Sequence, residues 1–309
     1  MKDIGYARQL YVQPFDHRGS FTKGFFGLEG QPRIDVSLDQ FGPVADAKTL
    51  VYRGLLRAIE LGVPAEEVGI LVDTQFGSHI IADAKARGIQ VATCIEKSGQ
   101  PIFDFEYGAS WIDHLRFVNP AMVKVLVRHH PEVDAAGRHE QMARLKQVSD
   151  YVHASNDCYF MFELLVPAST EEDKALGERY DVERRPQLMI QAIQEIQDFG
   201  IEPDIWKIEG LDRREDAVAV GAQTRSGAGR ENVGNILLGR GSDKDSVHRW
   251  LSVAAPVDGY IGFAVGRTNF KAPLESVIAE PTADRAAAAV EQIAENYRGC
   301  VDVWQRSRG

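Results

Sequence analysis

Cysteine is scarce in this sequence: Cys94, Cys158 and Cys300 are the only three among 309 residues, with no short paired spacing. That excludes a disulfide scaffold and a zinc knuckle and suits a reducing cytosol. Cys94 and Cys158 fall in apolar runs, where a buried, inert thiol is the expectation. No run approaches the roughly 18 apolar residues of a membrane span, and the first residues, Met1-Lys2-Asp3-Ile4, carry no apolar signal core. A cytoplasmic protein without a membrane partner is therefore expected. Positive charge is not in surplus either. The net charge of -10 argues against nucleic acid as the main partner, yet leaves room for an anionic small molecule in a locally basic pocket. No His-Glu-x-x-His or similar spacing exists, and the adjacent His129 and His130 would face opposite sides of a strand. The histidines therefore read as structural or substrate-contacting, with Arg128 to His130 at a pocket rim, and not as a metal site. No low-complexity linker, internal repeat or composition shift divides residues 1–309.

What is present is a rhythm. Short apolar runs at 10–15, 68–72, 90–95, 121–127, 158–165, 205–209, 234–238 and 259–265 read as strands. Amphipathic stretches near 44–62, 80–87, 137–153, 183–199, 243–254 and 283–298 read as helices, the fifth capped by Ser242 or Asp243. Strands alternating with helices in this number predict an α/β fold, a single (β/α)₈ TIM barrel. A doubly wound open sheet would need a glycine-rich turn after its first strand, and that place holds Asp16-His17-Arg18-Gly19-Ser20. Residues 19–43, rich in Gly and Phe, and 97–115, with Phe103, Phe105, Tyr107 and Trp111, are expected to be loops or flaps over one end of the barrel.

One strand carries an unexpected charge. In Ile205-Trp206-Lys207-Ile208-Glu209 the alternation puts Ile205, Lys207 and Glu209 on one face, Trp206 and Ile208 on the other. A lysine in an apolar strand is costly unless it is paired or loses its proton. A desolvated amine near other cations can attack a carbonyl to form a Schiff base, or it can simply pair with a carboxylate at a strand end. Asp16, Asp73, Glu96, Lys97, Glu163, Glu209, Arg240 and Arg267 also fall at or near strand ends, and Lys124 lies within the fourth strand. In a barrel the carboxyl ends of the strands carry function. Ion pairs closing the barrel top are the alternative for each residue taken singly.

In order along the chain stand Phe15-Asp16-His17-Arg18-Gly19-Ser20, Glu96-Lys97-Ser98-Gly99, Val123-Lys124-Val125-Leu126, Phe162-Glu163-Leu164-Leu165 and Trp206-Lys207-Ile208-Glu209. On these motifs the whole chain resembles the class I aldolase barrels, in particular tagatose-1,6-bisphosphate aldolase and its relatives. Leu237-Leu238-Gly239-Arg240-Gly241 and Gly262-Phe263-Ala264-Val265-Gly266-Arg267-Thr268 resemble the aldolase-like domain fused to 5-dehydro-2-deoxygluconokinase in inositol catabolism. Arg240 departs from the bisphosphate aldolases, which have small residues there. The resemblance implies that Lys207 is the Schiff-base lysine and Glu163 the carboxylate that moves protons as the carbinolamine forms and dehydrates. It further implies Lys124 and Lys97 as cationic neighbours, and Asp16 as the acid that contacts the substrate hydroxyl and can serve in proton transfer. Such a pathway needs no cofactor or metal beyond the covalent imine.

Gly239, Arg240 and Gly241, with Gly266 and Arg267, follow strands seven and eight, where barrels commonly hold phosphate through backbone N–H groups, a helix N-terminus and a cation. Turn glycines beside surface arginines are the plain alternative. The expected activity is cleavage of a phosphorylated keto sugar or keto-sugar acid. The resemblance suggests 6-phospho-5-dehydro-2-deoxygluconate, giving dihydroxyacetone phosphate and malonate semialdehyde. The expected partner is that phosphorylated sugar, and a homo-oligomer is compatible with the family. The rival expectations are a metal-dependent lyase or isomerase with Asp16, Asp73, Glu96 and Glu209 around Mg²⁺, and a sugar-phosphate-binding barrel without turnover.

Overall fold

Each apolar run becomes a parallel strand, and the strands join in sequence order into a closed barrel from β1 to β8. The computed structural model describes residues 3–28, 38–155 and 158–309. The strands are β1 Leu10–Pro14, β2 Val68–Val72, β3 Gln90–Cys94, β4 Met122–Arg128, β5 Tyr159–Leu165, β6 Ile205–Glu209, β7 Gly234–Leu238 and β8 Tyr260–Ala264. The expected boundaries shift by one residue at most, because each run is bounded by turn-forming residues. Closure comes from β1 pairing with both β2 and β8.

The helices, in chain order, are α1 Gly19–Phe26, α2 Leu38–Glu60, α3 Thr74–Ala86, α4 Trp111–Val118, α5 Ala135–Ser155, α6 Thr170–Leu176, α7 Tyr180–Glu183, α8 Arg185–Asp198, α9 Arg214–Thr224, α10 Lys244–Ala254, α11 Arg267–Ala279 and α12 Ala283–Arg308. Asp243 caps α10, its carboxylate accepting from the Ser246 N–H at 2.9 Å. The helix expected from residue 44 starts at Leu38 and runs through Pro43, which forgoes only one intrahelical bond. The helix expected to end at 298 continues to Arg308. Sequence periodicity missed α6, α7, α9 and α11, and α1 and α4 form where loops or flaps were expected. Pro273 lies inside α11, where it reads as a breaker.

Within 19–43, α1 is folded, and Phe21 and Phe25 tilt against Phe270 of α11 at 6.1 and 6.3 Å between ring centroids. Residues 29–37 lie outside the described residues. Within 97–115, Lys97 N–H donates to Asp104 O at 2.8 Å and Glu106 N–H to Ile95 O at 2.9 Å, pinning the base of the excursion. Phe105 stacks on Trp111 of α4 at 4.9 Å.

Two apolar layers set the position of everything else. Between barrel and helices lies a continuous core that includes Val72, Val91, Val123, Phe162, Trp206, Ile208, Phe263 and Tyr297. Inside the barrel a smaller cluster of Leu10, Val12, Leu71, Ala92, Met122, Met161, Ile205 and Ile236 fills the lower half. Two residues further along β4, β5 and β6, on the same inward face, Met122, Met161 and Ile205 give way to Lys124, Glu163 and Lys207. The barrel interior is therefore apolar below and ionic above. No helix among the described residues is long and apolar enough to cross a membrane.

Candidate active site

Lys207 points into the barrel, as its alternation with Trp206 and Ile208 requires, and is only 1% exposed. Its Nζ lies 3.0 Å from Glu163 Oε2. Glu163 sits on the neighbouring strand directly opposite Lys207 in the β5–β6 register. The same Glu163 oxygen lies 2.7 Å from Lys124 Nζ. Lys124, also 1% exposed, reaches Asp16 Oδ2 at 2.9 Å and Glu96 Oε1 at 2.8 Å. Side chains from β4, β5 and β6, and from the ends of β1 and β3, thus form one chain of ions, with Lys124 at its hub.

The charges tune one another. Burial alone would drive the Lys124 ammonium toward neutrality, but Asp16, Glu163 and Glu96 outweigh it and hold its pKa well above the usual lysine value. Burial pushes Asp16 and Glu163 upward, yet Lys124 prevails and both carboxyls stay below their ordinary range. Glu96 goes the other way: burial raises it, and Lys124 only partly offsets this. Burial pushes His17 down to about 4, Asp16 opposing and Lys207 assisting, so its imidazole is neutral at pH 7.

A cleft of about 450 Å³ opens above β1, β3 and β4. Its floor includes Asp16, Cys94, Glu96 and Lys124, and its rim Arg18, Lys97 and Arg128. Lys207 and Glu163 are not on its wall; they lie one ionic contact deeper, behind Lys124. Lys97 is exposed at the rim and makes no ion pair with the buried cluster among the described residues. Arg128 is on the rim, whereas His129 and His130 turn away to Glu195 and Glu172, both at 2.8 Å.

The loops after β7 and β8 are tied together. Arg267 Nη2 donates to Arg240 O at 2.8 Å, and Thr268 Oγ1 to Ser242 O at 2.7 Å. Gly241 adopts φ +74°, and a Cβ there would lie 2.7 Å from the Arg267 guanidinium carbon. A Cβ on Gly266 would lie 2.4 Å from Pro14 O, so the turn into α11 passes too close to β1 for a side chain. Gly239 is buried beside Val265. Arg240 takes a left-handed φ of 52°, and its guanidinium is engaged by Asp181 at 2.9 Å and Glu209 at 3.1 Å. Arg267 is exposed. Both arginines are exposed, but Arg240 is engaged by two carboxylates, whereas Arg267 donates to the Arg240 carbonyl and pairs with no carboxylate among the described residues.

The acids of the magnesium reading do not converge. Asp73 caps α3 through Phe76 N–H at 2.8 Å and pairs with Lys48. Glu209 faces Arg185 at 3.4 Å and Arg240, and burial pushes its carboxyl up to about 7 against the pull of Arg185. Asp16, Cys94 and Glu96 do bring donor atoms within 4.8 Å of one another. However, the Lys124 ammonium already bridges Asp16 and Glu96, and burial holds the Cys94 thiol well above its usual range. This donor set fits an ammonium better than a divalent cation.

A family described as "Uncharacterized protein conserved in bacteria (DUF2090)" matches residues 6–308. The chain belongs to that family. No curated protein matches it. Among solved structures, this DUF2090 member is similar to a Plasmodium falciparum fructose-bisphosphate aldolase, with a TM-score of 0.66 at 10% identity over 98% of this chain and 92% of the other. A Schiff-base-forming fructose-1,6-bisphosphate aldolase gives a TM-score of 0.54 at 12% identity, covering 93% of each chain. An archaeal fructose 1,6-bisphosphate aldolase gives 0.52 at 12% identity, over 93% and 94%. At such identities the likeness establishes the barrel fold shared with class I aldolases.

Two supporting residues were given no role of their own by the sequence reading. Lys48 is fully buried, pairs with Asp73 and donates to Phe15 O at 2.8 Å and His17 O at 3.1 Å, pinning the turn that carries Asp16. Its signal was present, since Val44, Ala47, Lys48, Val51 and Leu55 share one helical face. Arg18 is buried, donates to Glu96 O at 2.7 Å and pairs with Glu106 at 3.0 Å, joining the β1 and β3 loops. Arg18 stands in the Asp16-His17-Arg18-Gly19-Ser20 turn, but nothing local to that turn points to the β3 loop as its partner.

Proposed function

We propose that this protein is a Schiff-base aldolase with Lys207 as the amine that condenses with the substrate carbonyl. The observation that carries the reading is the row Lys207–Glu163–Lys124–Asp16, with contacts of 3.0, 2.7 and 2.9 Å, inside the carboxyl end of a barrel. A retro-aldol cleavage needs an electron sink, which a protonated imine supplies, and groups that move protons in its making and breaking. Glu163 touches the Lys207 amine and can accept the proton shed on attack and return it to the departing hydroxyl. Lys124 stays an ammonium and keeps Asp16 ionised for a substrate hydroxyl. A carbonyl reaching Lys207 from the cleft must part the Lys124–Glu163 contact, and the depth of the amine then shields the imine from water.

The substrate class is a phosphorylated keto sugar or keto-sugar acid, with 6-phospho-5-dehydro-2-deoxygluconate and tagatose 1,6-bisphosphate as the candidates that the sequence motifs favour. Its phosphate is assigned to the loops after β7 and β8. There Arg267 is the available cation, while Gly241 and Gly266 let the backbone come close. Arg240 shapes that loop through Asp181 and Glu209, and Lys97 attracts anions to the cleft rim.

The test is borohydride reduction in the presence of each candidate, followed by peptide mass mapping. The expected adduct is on Lys207 and is lost in Lys207→Ala. An adduct on Lys124 would move the chemistry to β4, and no adduct with any candidate would remove the imine altogether.

A further inference from the structure

The cluster holds an acid beyond those needed to make the imine. Three carboxylates surround Lys124, and they are not equivalent. Glu163 is buried behind the ammonium, against Lys207. Asp16 is held by Lys124 through Oδ2, and its Oδ1, 3.9 Å from the neutral His17 imidazole, is also buried without a hydrogen-bond partner among the described residues. The Asp16 side chain is only 6% exposed, however, against 13% for Glu96, the most open of the three. Glu96 spends only Oε1 on Lys124, and among the described residues its Oε2 is buried without a hydrogen-bond partner. It lines the cleft. Its backbone is anchored from both sides, by Arg18 at 2.7 Å to its carbonyl and by the bridge to Phe105. A buried carboxylate oxygen without a partner is costly unless something else fills its place. In a cleft above an ion cluster, the group that fits is a hydroxyl donor on a ligand.

We infer that Glu96, resting on the Schiff-base reading above, is the catalytic residue that exchanges the proton with the hydroxyl on the carbon being cleaved. In the cleavage direction the O–H proton passes to Glu96 Oε2 and the carbon–oxygen double bond forms. The carbon–carbon bond breaks, and its electron pair neutralises the iminium to an enamine. In condensation the same proton returns to the new alkoxide. Of the carboxyls on the cleft wall, Glu96 is the better base. Burial keeps its affinity for protons high, whereas Lys124 holds Asp16 too firmly ionised for it to accept one readily.

The experiment separates imine formation from bond cleavage. Wild type, Glu96→Gln and Glu96→Ala are each given fructose 1,6-bisphosphate, tagatose 1,6-bisphosphate and 6-phospho-5-dehydro-2-deoxygluconate. Borohydride adducts on Lys207 and aldehyde release are then measured in parallel. The expected result is that Glu96→Gln, which keeps the side-chain shape and an acceptor for Lys124, still forms the adduct, while its cleavage rate falls about 10²–10⁴-fold. Formate should restore part of the Glu96→Ala rate, in proportion to its concentration, which a merely structural role would not allow. If wild type forms the adduct and Glu96→Gln cleaves within threefold of wild type, or formate leaves Glu96→Ala unchanged, the assignment is wrong while the imine stands. If wild type forms no adduct, the Schiff-base reading fails, and the assignment with it.

Discussion

Replacing Lys124 by methionine tests the ion cluster without requiring a substrate. The side chain keeps its length and loses its charge. Asp16, Glu96 and Glu163 then face one another with their shared ammonium, now at 2.7–2.9 Å from each, removed. Taking one partner from a buried ion pair costs about 3–5 kcal/mol, because the remaining charge is left uncompensated. Part of that is recoverable by protonation. In wild type Asp16 and Glu163 are held low, so they contribute stability that is complete above their unfolded values near ~4 and is lost as pH falls through the folded ones. In Lys124→Met the crowded carboxyls shift upward. The folded state then binds more protons than the unfolded one between about 4 and the raised values, so the variant gains stability as pH falls through that window. Urea unfolding followed by circular dichroism should show a loss of about 3–5 kcal/mol at pH 8, a midpoint drop of about 1–2 M. The loss should shrink by at least ~1 kcal/mol at pH 5, the scale of one pKa unit. A loss below ~1 kcal/mol, within the range of an exposed ion pair, or one that is equal at both pH values, would refute the picture of a dry site organised by one ammonium.

Glu163→Gln should leave binding of the phosphorylated substrate close to wild type and slow adduct formation at Lys207 by about 10²–10⁴-fold; an unchanged rate in a stopped-flow trapping assay would show that Glu163 moves no proton. Arg267→Ala should weaken phosphorylated substrate by about 1.5–3 kcal/mol, the scale of a hydrogen bond to a charged group, and Arg267→Lys should recover only part, since lysine cannot pair two phosphate oxygens at once. Calorimetry with the dephosphorylated sugar is the control, and equal losses for both would place the phosphate elsewhere. Gly266→Ala should destabilise the fold by about 1–3 kcal/mol, because its Cβ would lie 2.4 Å from Pro14 O; an unchanged thermal midpoint would mean that this turn has room the structure does not show.

By itself the sequence determined the barrel and the strand faces. Strand alternation is local, so Ile205, Lys207 and Glu209 could be placed on one face and Trp206 and Ile208 on the other before any strand had a neighbour. Clustering of charge at strand ends was legible for the same reason: it depends on where apolar runs stop. What only the tertiary structure decided is who meets whom. Strand register sets Glu163 opposite Lys207 and brings Lys124 to three acids drawn from three other strands and loops, and register is a relation between segments tens of residues apart. The same holds for Arg240 and Arg267, alike in sequence as Gly-Arg and both exposed, of which one is engaged by Asp181 and Glu209 and the other by the Arg240 carbonyl. Arg18 stands in the turn after the first strand and Lys48 on an apolar helical face, yet neither position says what the side chain will reach. Each works by reaching backbone carbonyls on the turns at the barrel mouth, and those carbonyls converge only once the barrel has closed.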